Sequence, residues 1–401
     1  MSFFYPLKDS SLRKRDIKEG IETLLSGRVT MSQKTSKFEN YFKNKLSLKN
    51  AIMVNSGSSA NLLAFQCLVN PYRKKRLKPG DQVLLPALCW STTLWPIVQS
   101  GLKPIFVDID VNTFNISLND LKKKITKKTK ALMLVHVLGN SANMDELMKI
   151  VKRNNLILIE DTCESLGSKF SNKHLGSFGD FSTFSFYYTH QISSIEGGMI
   201  SCKTRQDLDI LKSLRSHGWA RGLSNQRKIE QKNKNISRHF LFYNSGYNLR
   251  PTDVQAAIGL SQFKSLNYFI KKRSNNRHKI ISSLMNDYRW SSQVRFLKEN
   301  YKVKASWFGI PMVLNKKYLH TKNKILNKMS NGGIENRPII SGNFTLQPSV
   351  KKYNLIKKGV RFNNVNLIHK LGFFIGLSVN QINEKKLNRF KNIFFNSFNK
   401  L

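Results

Sequence analysis

Cysteine is scarce: Cys67, Cys89, Cys163 and Cys202 stand alone, with no CxxC pair among them. That removes a disulfide scaffold, a thioredoxin-like redox pair and the usual zinc-ligand spacings, so reduced thiols and no metal site are expected. Long apolar runs are missing too. Nowhere does the chain reach the roughly 18 consecutive apolar residues of a membrane-crossing helix, and MSFFYPLKDSSLRKRD has no apolar stretch behind its basic residues. Neither a membrane span nor a secretory leader is expected, and the localisation reads as cytoplasmic. Acidic residues are few, 24 against 67 Lys and Arg, for a net charge of +43. Such an excess favours nucleic acid, an anionic membrane or a phosphorylated ligand. The basic residues, however, fall in short groups such as Lys74-Lys75-Arg76, Lys122-Lys123-Lys124 and Lys271-Lys272-Arg273. With no zinc-finger spacing, RRM-type aromatic motif or basic region leading into heptads, they read as solvated helix faces and not as a nucleic-acid surface.

What is present is the material of a globular enzyme. The 401 residues are 40% hydrophobic and 11% aromatic, which excludes global disorder; at roughly 150 residues per domain the length fits two or three domains. Residues 1–45 read as a polar, mainly helical segment with Ile17, Ile21, Leu24 and Leu25 at helical spacing. From Ala51, apolar runs alternate with amphipathic stretches: AIMV (51–54), QVLLP (82–86), PIFVDID (104–110), ALMLVHV (131–137) and LILIED (156–161). This alternation predicts an α/β domain with a mainly parallel sheet, and its ligand edge lies at the carboxyl ends of the strands. Site residues are therefore expected near Asn55–Ser58, Trp90, His136 and Asp161. From about Phe263 the pattern changes to a long polar helix and a few later strands. A large domain over 1–262 and a smaller α+β domain over 263–401 are expected.

Three segments can carry chemistry. Asn55-Ser56-Gly57-Ser58-Ser59-Ala60-Asn61 joins a strand-like run to a helix-like one. It suits a plain N-cap turn or a phosphate cradle of backbone N–H groups and serine hydroxyls. Neither GxGxxG nor GxxxxGK[ST] is present. Asp161 ends an apolar strand, where a carboxylate can cap a helix or pair with a protonated ring nitrogen. The third segment, Phe184-Ser185-Phe186-Tyr187-Tyr188-Thr189-His190, runs on to Glu196-Gly197-Gly198.

In this order and spacing, the three segments resemble the DegT/DnrJ/EryC1/StrS family of pyridoxal-phosphate-dependent sugar enzymes. The resemblance continues in PALCWSTTLWPIVQSGLKPIFVDID (86–110), VHVLGNSANMDEL (135–147), RSHGWARG (215–222), SGYNLRPTDVQAAIGLSQ (245–262), RPIISGNFTLQPSV (337–350) and IHKLGFFIGL (368–377), roughly residues 12 to 380. It implies the fold-type-I, aspartate aminotransferase-like architecture and a pyridoxal 5'-phosphate or pyridoxamine 5'-phosphate cofactor. By the same resemblance Gly57, Ser58 and Ser185 hold the cofactor phosphate, Trp90 stacks on the ring and Asp161 pairs with its nitrogen. Asn248 completes the phosphate site from a partner subunit, which implies a homodimer with shared active sites.

The departure from the family pattern is His190, which stands where aminotransferases carry the lysine that binds the cofactor covalently. Histidine cannot make that bond, but an imidazole moves protons near neutral pH. Together with Glu164, where aminotransferases often carry Gln, this resembles the sugar 3-dehydratase branch. Its members remove the C3 hydroxyl of a nucleotide-linked 4-keto-6-deoxyhexose in deoxysugar biosynthesis, with L-glutamate regenerating the amine form of the cofactor. The expected substrate is GDP-4-keto-6-deoxy-D-mannose, with His190 as general base and acid. The iron-sulfur cluster of a sister branch is not expected, because SHGWARGLSNQRK after Arg215 has no cysteine. His217 is a further candidate for proton transfer or a structural turn, and Arg250 a candidate for the substrate diphosphate or a surface ion pair. His136 and Glu196 read as supporting residues. The alternatives are a nucleotide-sugar aminotransferase and a non-catalytic cofactor-binding regulatory protein.

Overall fold

The apolar runs become a seven-stranded sheet in the computed structural model, which describes residues 3–8, 11–297, 301–357 and 359–399. Its strands are β1 (Asn50–Val54), β2 (Gln82–Pro86), β3 (Lys103–Val107), β4 (Thr129–Val135), β5 (Ile157–Asp161), β6 (Phe181–Ser185) and β7 (Gly198–Cys202), in spatial order β1-β7-β6-β5-β4-β2-β3. The pairs β2/β3, β2/β4, β4/β5 and β5/β6 are parallel; β7 runs antiparallel to both β1 and β6. All five residues of β6 and β7 are buried, as expected for strands covered by helices on both faces. This topology brings the carboxyl ends of β1, β5 and β6 to one edge.

The helix Gly57–Val69 starts directly after β1 because Ser56 caps it, its Oγ accepting the Ser59 N–H at 3.1 Å. A capping carboxylate ties on the N-terminal layer. Asp253 accepts the backbone N–H groups of Ser32, Lys34 and Thr35 at 2.8, 3.0 and 2.9 Å and the Thr35 hydroxyl at 2.7 Å. Burial pushes the Asp253 carboxyl up, but these bonds outweigh it and hold the pKa below the ordinary value. Beneath the carboxyl end of β6, Phe38 and Phe42 of the helix Gln33–Lys45 pack on Phe186, at ring separations of 5.3 and 5.7 Å, and Phe42 stacks on Phe263 at 4.8 Å. That aromatic cluster supports the turn after Phe186. The first helix, Lys14–Leu25, is amphipathic in an unexpected sense. Gly20 and Thr23 face inward, while Ile17, Ile21, Leu24 and Leu25 are exposed.

The helix Leu266–Met285 begins at the Ser265 break and leads to a second, antiparallel sheet. Its strands are β8 (Val294–Phe296), β9 (Gly309–Leu314), β10 (Asn336–Arg337) and β11 (Gly372–Gly376), in order β8-β9-β11-β10. Residues 3–8, grouped by sequence order with the large domain, pair instead with this smaller unit. Tyr5 bridges Ile334, and a Cβ on Gly376 would lie 1.9 Å from the Leu7 carbonyl oxygen. The N-terminal strap thus occupies a groove that only glycine leaves open.

Candidate active site

The strand ends, the helix Gly57–Val69 and the small domain enclose a cavity of about 460 Å³. Gly57, Ser58, Trp90, Asp161, Glu164, Ser185 and His190 all line it. At its inner end, Gly57 lies so close to β6 that a Cβ there would meet Ser185 Cβ at 2.6 Å and Cys163 Sγ at 3.0 Å. The first-turn N–H groups of Gly57 and Ser58 have no intrahelical acceptor and carry the positive end of the helix dipole. Ser58 Oγ lies 3.1 Å from Thr92 Oγ1, and Ser185 is nearly buried beside them. This donor set suits a phosphate dianion.

Asp161, at the end of β5, is 5% exposed. Its Oδ2 accepts from Asn61 Nδ2 at 3.1 Å and Thr93 Oγ1 at 3.0 Å, and its Oδ1 accepts the Cys163 N–H at 3.2 Å. Asn61 is fixed in turn by the Thr183 hydroxyl at 2.7 Å. The carboxylate is therefore aimed by three donors and still has lone pairs for a protonated nitrogen. Trp90, 58% exposed, stands at the cavity mouth at the N-cap of the helix Ser91–Gln99. A planar, phosphorylated heteroaromatic group fits these residues: amides and hydroxyls at one end, a carboxylate at the other, and an indole beside the opening.

His190 closes a turn in which its N–H bonds the Tyr187 carbonyl at 2.9 Å. Its Nδ1 lies 2.6 Å from the Cys163 carbonyl. A carbonyl only accepts, so Nδ1 carries the proton and Nε2 keeps its lone pair. Tyr187 and Phe308 meet the ring nearly edge-on, at 6.0 and 5.2 Å. Burial lowers the imidazole pKa from 6.5 to about 4; the Cys163 bond raises it, while nearby Lys8 and Arg273 lower it further. At pH 7 the ring is neutral and able to take a proton. Glu164 shows the opposite shift. Burial raises its pKa from 4.5 to about 7, the Asp161 charge adds to this, and the Leu138 N–H at 3.0 Å opposes it.

Other expected residues lie elsewhere. His136 is fully buried outside the cavity, its Nε2 3.0 Å from Glu160 Oε2, and that carboxylate also receives the N–H groups of Gly176, Phe178 and Gly179. Val135 lines the cavity, and the next side chain along an extended chain points the other way. Glu196 does line the cavity. His217, Asn248 and Arg250 do not; they sit together on a separate surface. There Ser216 pairs with Asn248, Arg250 Nε donates to Asn248 Oδ1 at 3.0 Å, and the Trp219 ring lies 4.9 Å from His217 and 5.5 Å from the Arg250 guanidinium. Sequence reasoning missed Asn61 and Thr93, whose blocks it had singled out, and the small-domain wall of Phe308, Arg337, Ile340 and Phe374.

Over 374 residues the chain is 37% identical to the GDP-4-keto-6-deoxy-D-mannose 3-dehydratase of Escherichia coli O55:H7, spanning 93% of this chain and 95% of that protein. The structure of the E. coli GDP-4-keto-6-deoxy-D-mannose-3-dehydratase with bound hydrated PLP superimposes with a TM-score of 0.90 at 34% identity, covering 98% of this chain and 100% of that one. A GDP-4-keto-6-deoxymannose-3-dehydratase holding a trapped PLP-glutamate geminal diamine gives 0.89 at 34% identity over 97% and 100% of the two chains. Residues 10–379 match the pattern of one family, and the chain belongs to it: the DegT/DnrJ/EryC1/StrS aminotransferase family.

Proposed function

We propose that this chain is a 3-dehydratase acting on GDP-4-keto-6-deoxy-D-mannose, dependent on pyridoxal phosphate and its pyridoxamine form, with L-glutamate as amino donor. One observation carries the reading. Among the described residues no lysine lines the cavity, and the imidazole of His190 stands in it with a neutral Nε2. An aminotransferase of the family would need a lysine there. The relatives that share 34–37% identity over nearly the whole chain are named for the dehydration.

Gly57, Ser58 and Ser185 would hold the cofactor phosphate, Trp90 would cover the ring, and Asp161 would take the ring N–H. When bound, pyridoxamine phosphate supplies an amine for the C4 ketone and a conjugated ring that accepts electrons. His190 Nε2, unprotonated at pH 7, would take the proton beside that ring and, once protonated, deliver it readily to the departing C3 hydroxyl. Glu164, uncharged below about pH 7, offers a carboxyl O–H without adding a second negative charge beside Asp161. Leu7, Phe308 and Phe374 line the cavity with apolar surface and limit water. Over a full cycle one glutamate and one ketosugar give one 3-deoxy ketosugar, one 2-oxoglutarate and one ammonia. The oxygen lost from C3 is balanced by the keto oxygen of 2-oxoglutarate, and glutamate is the reductant.

We further propose a homodimer in which Asn248, with His217 and Arg250 beside it, faces the partner's cavity, in a domain arrangement of 1–262 and 263–401 with the strap of residues 3–8 seated on the smaller domain. The placement of these three residues away from their own cavity supports this, as does the exposed apolar row Ile17, Ile21, Leu24 and Leu25. No described helix is long and apolar enough to cross a membrane; we place the enzyme in the cytoplasm, where its nucleotide-sugar substrate would be made. Ammonia and 2-oxoglutarate assayed together test the reaction class. Dehydration releases them in equal amounts, whereas amino transfer forms 2-oxoglutarate without free ammonia.

A further inference from the structure

Hydrogen bonds from Tyr5 and Leu7 fix the strap of residues 3–8 to the small domain. Tyr5 N–H donates to the Gly333 carbonyl at 2.8 Å and Glu335 N–H to the Tyr5 carbonyl at 2.9 Å. The Tyr5 hydroxyl reaches the Gly376 carbonyl at 3.1 Å, and Leu7 N–H reaches Glu335 Oε2 at 2.9 Å. Leu7 lines the cavity. The next residue crosses to the large domain, where Lys8 Nζ donates to the carbonyls of Tyr188 and His190, the latter at 2.5 Å. Lys8 Nζ also lies 5.6 Å from the Tyr188 ring centre. The buried guanidinium of Arg273 donates to the same His190 carbonyl at 3.4 Å and to the Gln191 carbonyl at 3.1 Å. Two basic side chains, one from the N-terminal strap and one from the long helix of the small domain, thus grip one peptide group.

That peptide decides where the imidazole points. The 187–190 turn belongs to no strand; its Tyr187 carbonyl accepts the His190 N–H, while the Tyr188 and His190 carbonyls are held by these side chains. Rotation of the His190 peptide would swing the Cα–Cβ bond and move Nε2 off line, and proton transfer tolerates a misplacement of only about 0.5 Å or 10–20°. We propose that Lys8 is a positioning residue for His190, a clamp by which the seated N-terminal strap and small domain hold the base toward the cavity. The inference rests on the reading of His190 as the base. Burial first, and the Arg273 charge second, lower the Lys8 pKa to about 6. A neutral amine still has two N–H donors for two carbonyls, so the clamp holds at pH 7. Below pH 6 the amine is charged and, with Arg273, opposes protonation of the imidazole. The other ionisable groups that line the cavity are Asp161, Cys163, Glu164, Tyr187, Glu196 and Arg337.

The test compares Lys8→Met, Lys8→Gln and Lys8→Arg with the unaltered protein. The first readout needs no turnover: NMR titration of the ring resonances of the eight histidines in cofactor-free protein, with His190 assigned from the His190→Asn spectrum. Lys8→Met is expected to raise the His190 midpoint by at least about half a unit and to lower kcat about tenfold while KM for the sugar stays within about twofold. Lys8→Arg, which keeps the donors and matches the charge that Lys8 carries below pH 6, leaves the midpoint in place and recovers most of kcat. Lys8→Gln, with donors but no charge, keeps more of kcat than Lys8→Met while shifting the midpoint as far, and it decides the matter should the Met variant fold poorly. An unmoved His190 midpoint with wild-type kcat in both Met and Gln variants overturns the clamp, as does an equal loss in all three variants with no change in the titration. Full dehydration by His190→Asn would instead overturn the base assignment, and it is told apart because the titration does not depend on it.

Discussion

Replacing Asp161 by Asn alters one atom and removes one charge, and the surroundings fix the consequence. Three donors converge on the carboxylate: Asn61 Nδ2 and the Thr93 hydroxyl on Oδ2, and the Cys163 N–H on Oδ1. An Asn side chain has one oxygen. Whichever way its amide is turned, an NH2 group faces either the Cys163 N–H or the Asn61 NH2, and Asn61 cannot simply flip because its Oδ1 already receives the Thr183 hydroxyl. Thr93 can reverse its hydroxyl; the other donors cannot. One buried donor without an acceptor costs about 1–3 kcal/mol, so the cofactor-free variant should unfold at lower urea by that amount. Cofactor binding loses a charge-assisted hydrogen bond to the ring nitrogen as well, about 1.5–3 kcal/mol, which is roughly a tenfold to 150-fold rise in Kd. Urea unfolding and absorbance titration with pyridoxal phosphate measure the two effects separately. A variant that binds the cofactor within about twofold of the unaltered protein refutes the pairing of Asp161 with the ring, whatever its stability.

Four further outcomes are expected from the same geometry. His190→Lys should lose at least about a hundredfold in dehydration and acquire a cofactor that resists dialysis and is fixed by borohydride; unchanged dehydration would remove His190 from its role. Gly57→Ala, although alanine favours helices, should destabilise by about 1–3 kcal/mol, because its Cβ would meet Ser185 Cβ at 2.6 Å and Ser185 Cα at 3.2 Å; a urea midpoint equal to or above that of the unaltered protein contradicts the close approach. Glu164 keeps its proton in the folded state up to about pH 7 but releases it near its ordinary value when unfolded, so the folded state loses stability as pH rises from about 4.5 to 7. Glu164→Gln should remove that loss, gaining on the unaltered protein between pH 5 and pH 8 in thermal unfolding; parallel curves would refute the raised pKa. Finally, mixing inactive His190→Asn with inactive Asn248→Ala should restore partial activity through mixed dimers, and no recovery after subunit exchange contradicts the shared site.

The cavity's large-domain side was readable in the sequence because the chemistry sits where local rules act. Ser56 caps a helix that starts directly after a strand and holds Gly57 to Asn61 in its first turns, and Asp161 ends an apolar run, so both lie at the carboxyl edge of the sheet whatever the rest of the chain does. His136 shows where that reasoning stops. Lying at the end of a similar run, it is one residue past Val135, and alternation turns it from the cavity into a buried pair with Glu160. The opposite wall was not legible. Phe308, Arg337, Ile340 and Phe374 come from segments more than a hundred residues away from Asp161, and no local period records a meeting of two domains. The helix Lys14–Leu25 was legible as a helix but not as to facing, because its apolar residues point away from its own chain. Lys8 gave no signal at all: a single lysine in a chain with 67 basic residues acquires meaning only from the two carbonyls it reaches.

Dehydration at C3 is tested most simply by the mass of the sugar product formed when the purified protein is mixed with pyridoxal phosphate, L-glutamate and GDP-4-keto-6-deoxy-D-mannose. The expected product is a nucleotide sugar lighter by one oxygen atom, its C3 hydroxyl replaced by hydrogen. An amino sugar would make the chain an aminotransferase working without a lysine, and unchanged substrate would contradict the dehydration of this nucleotide sugar.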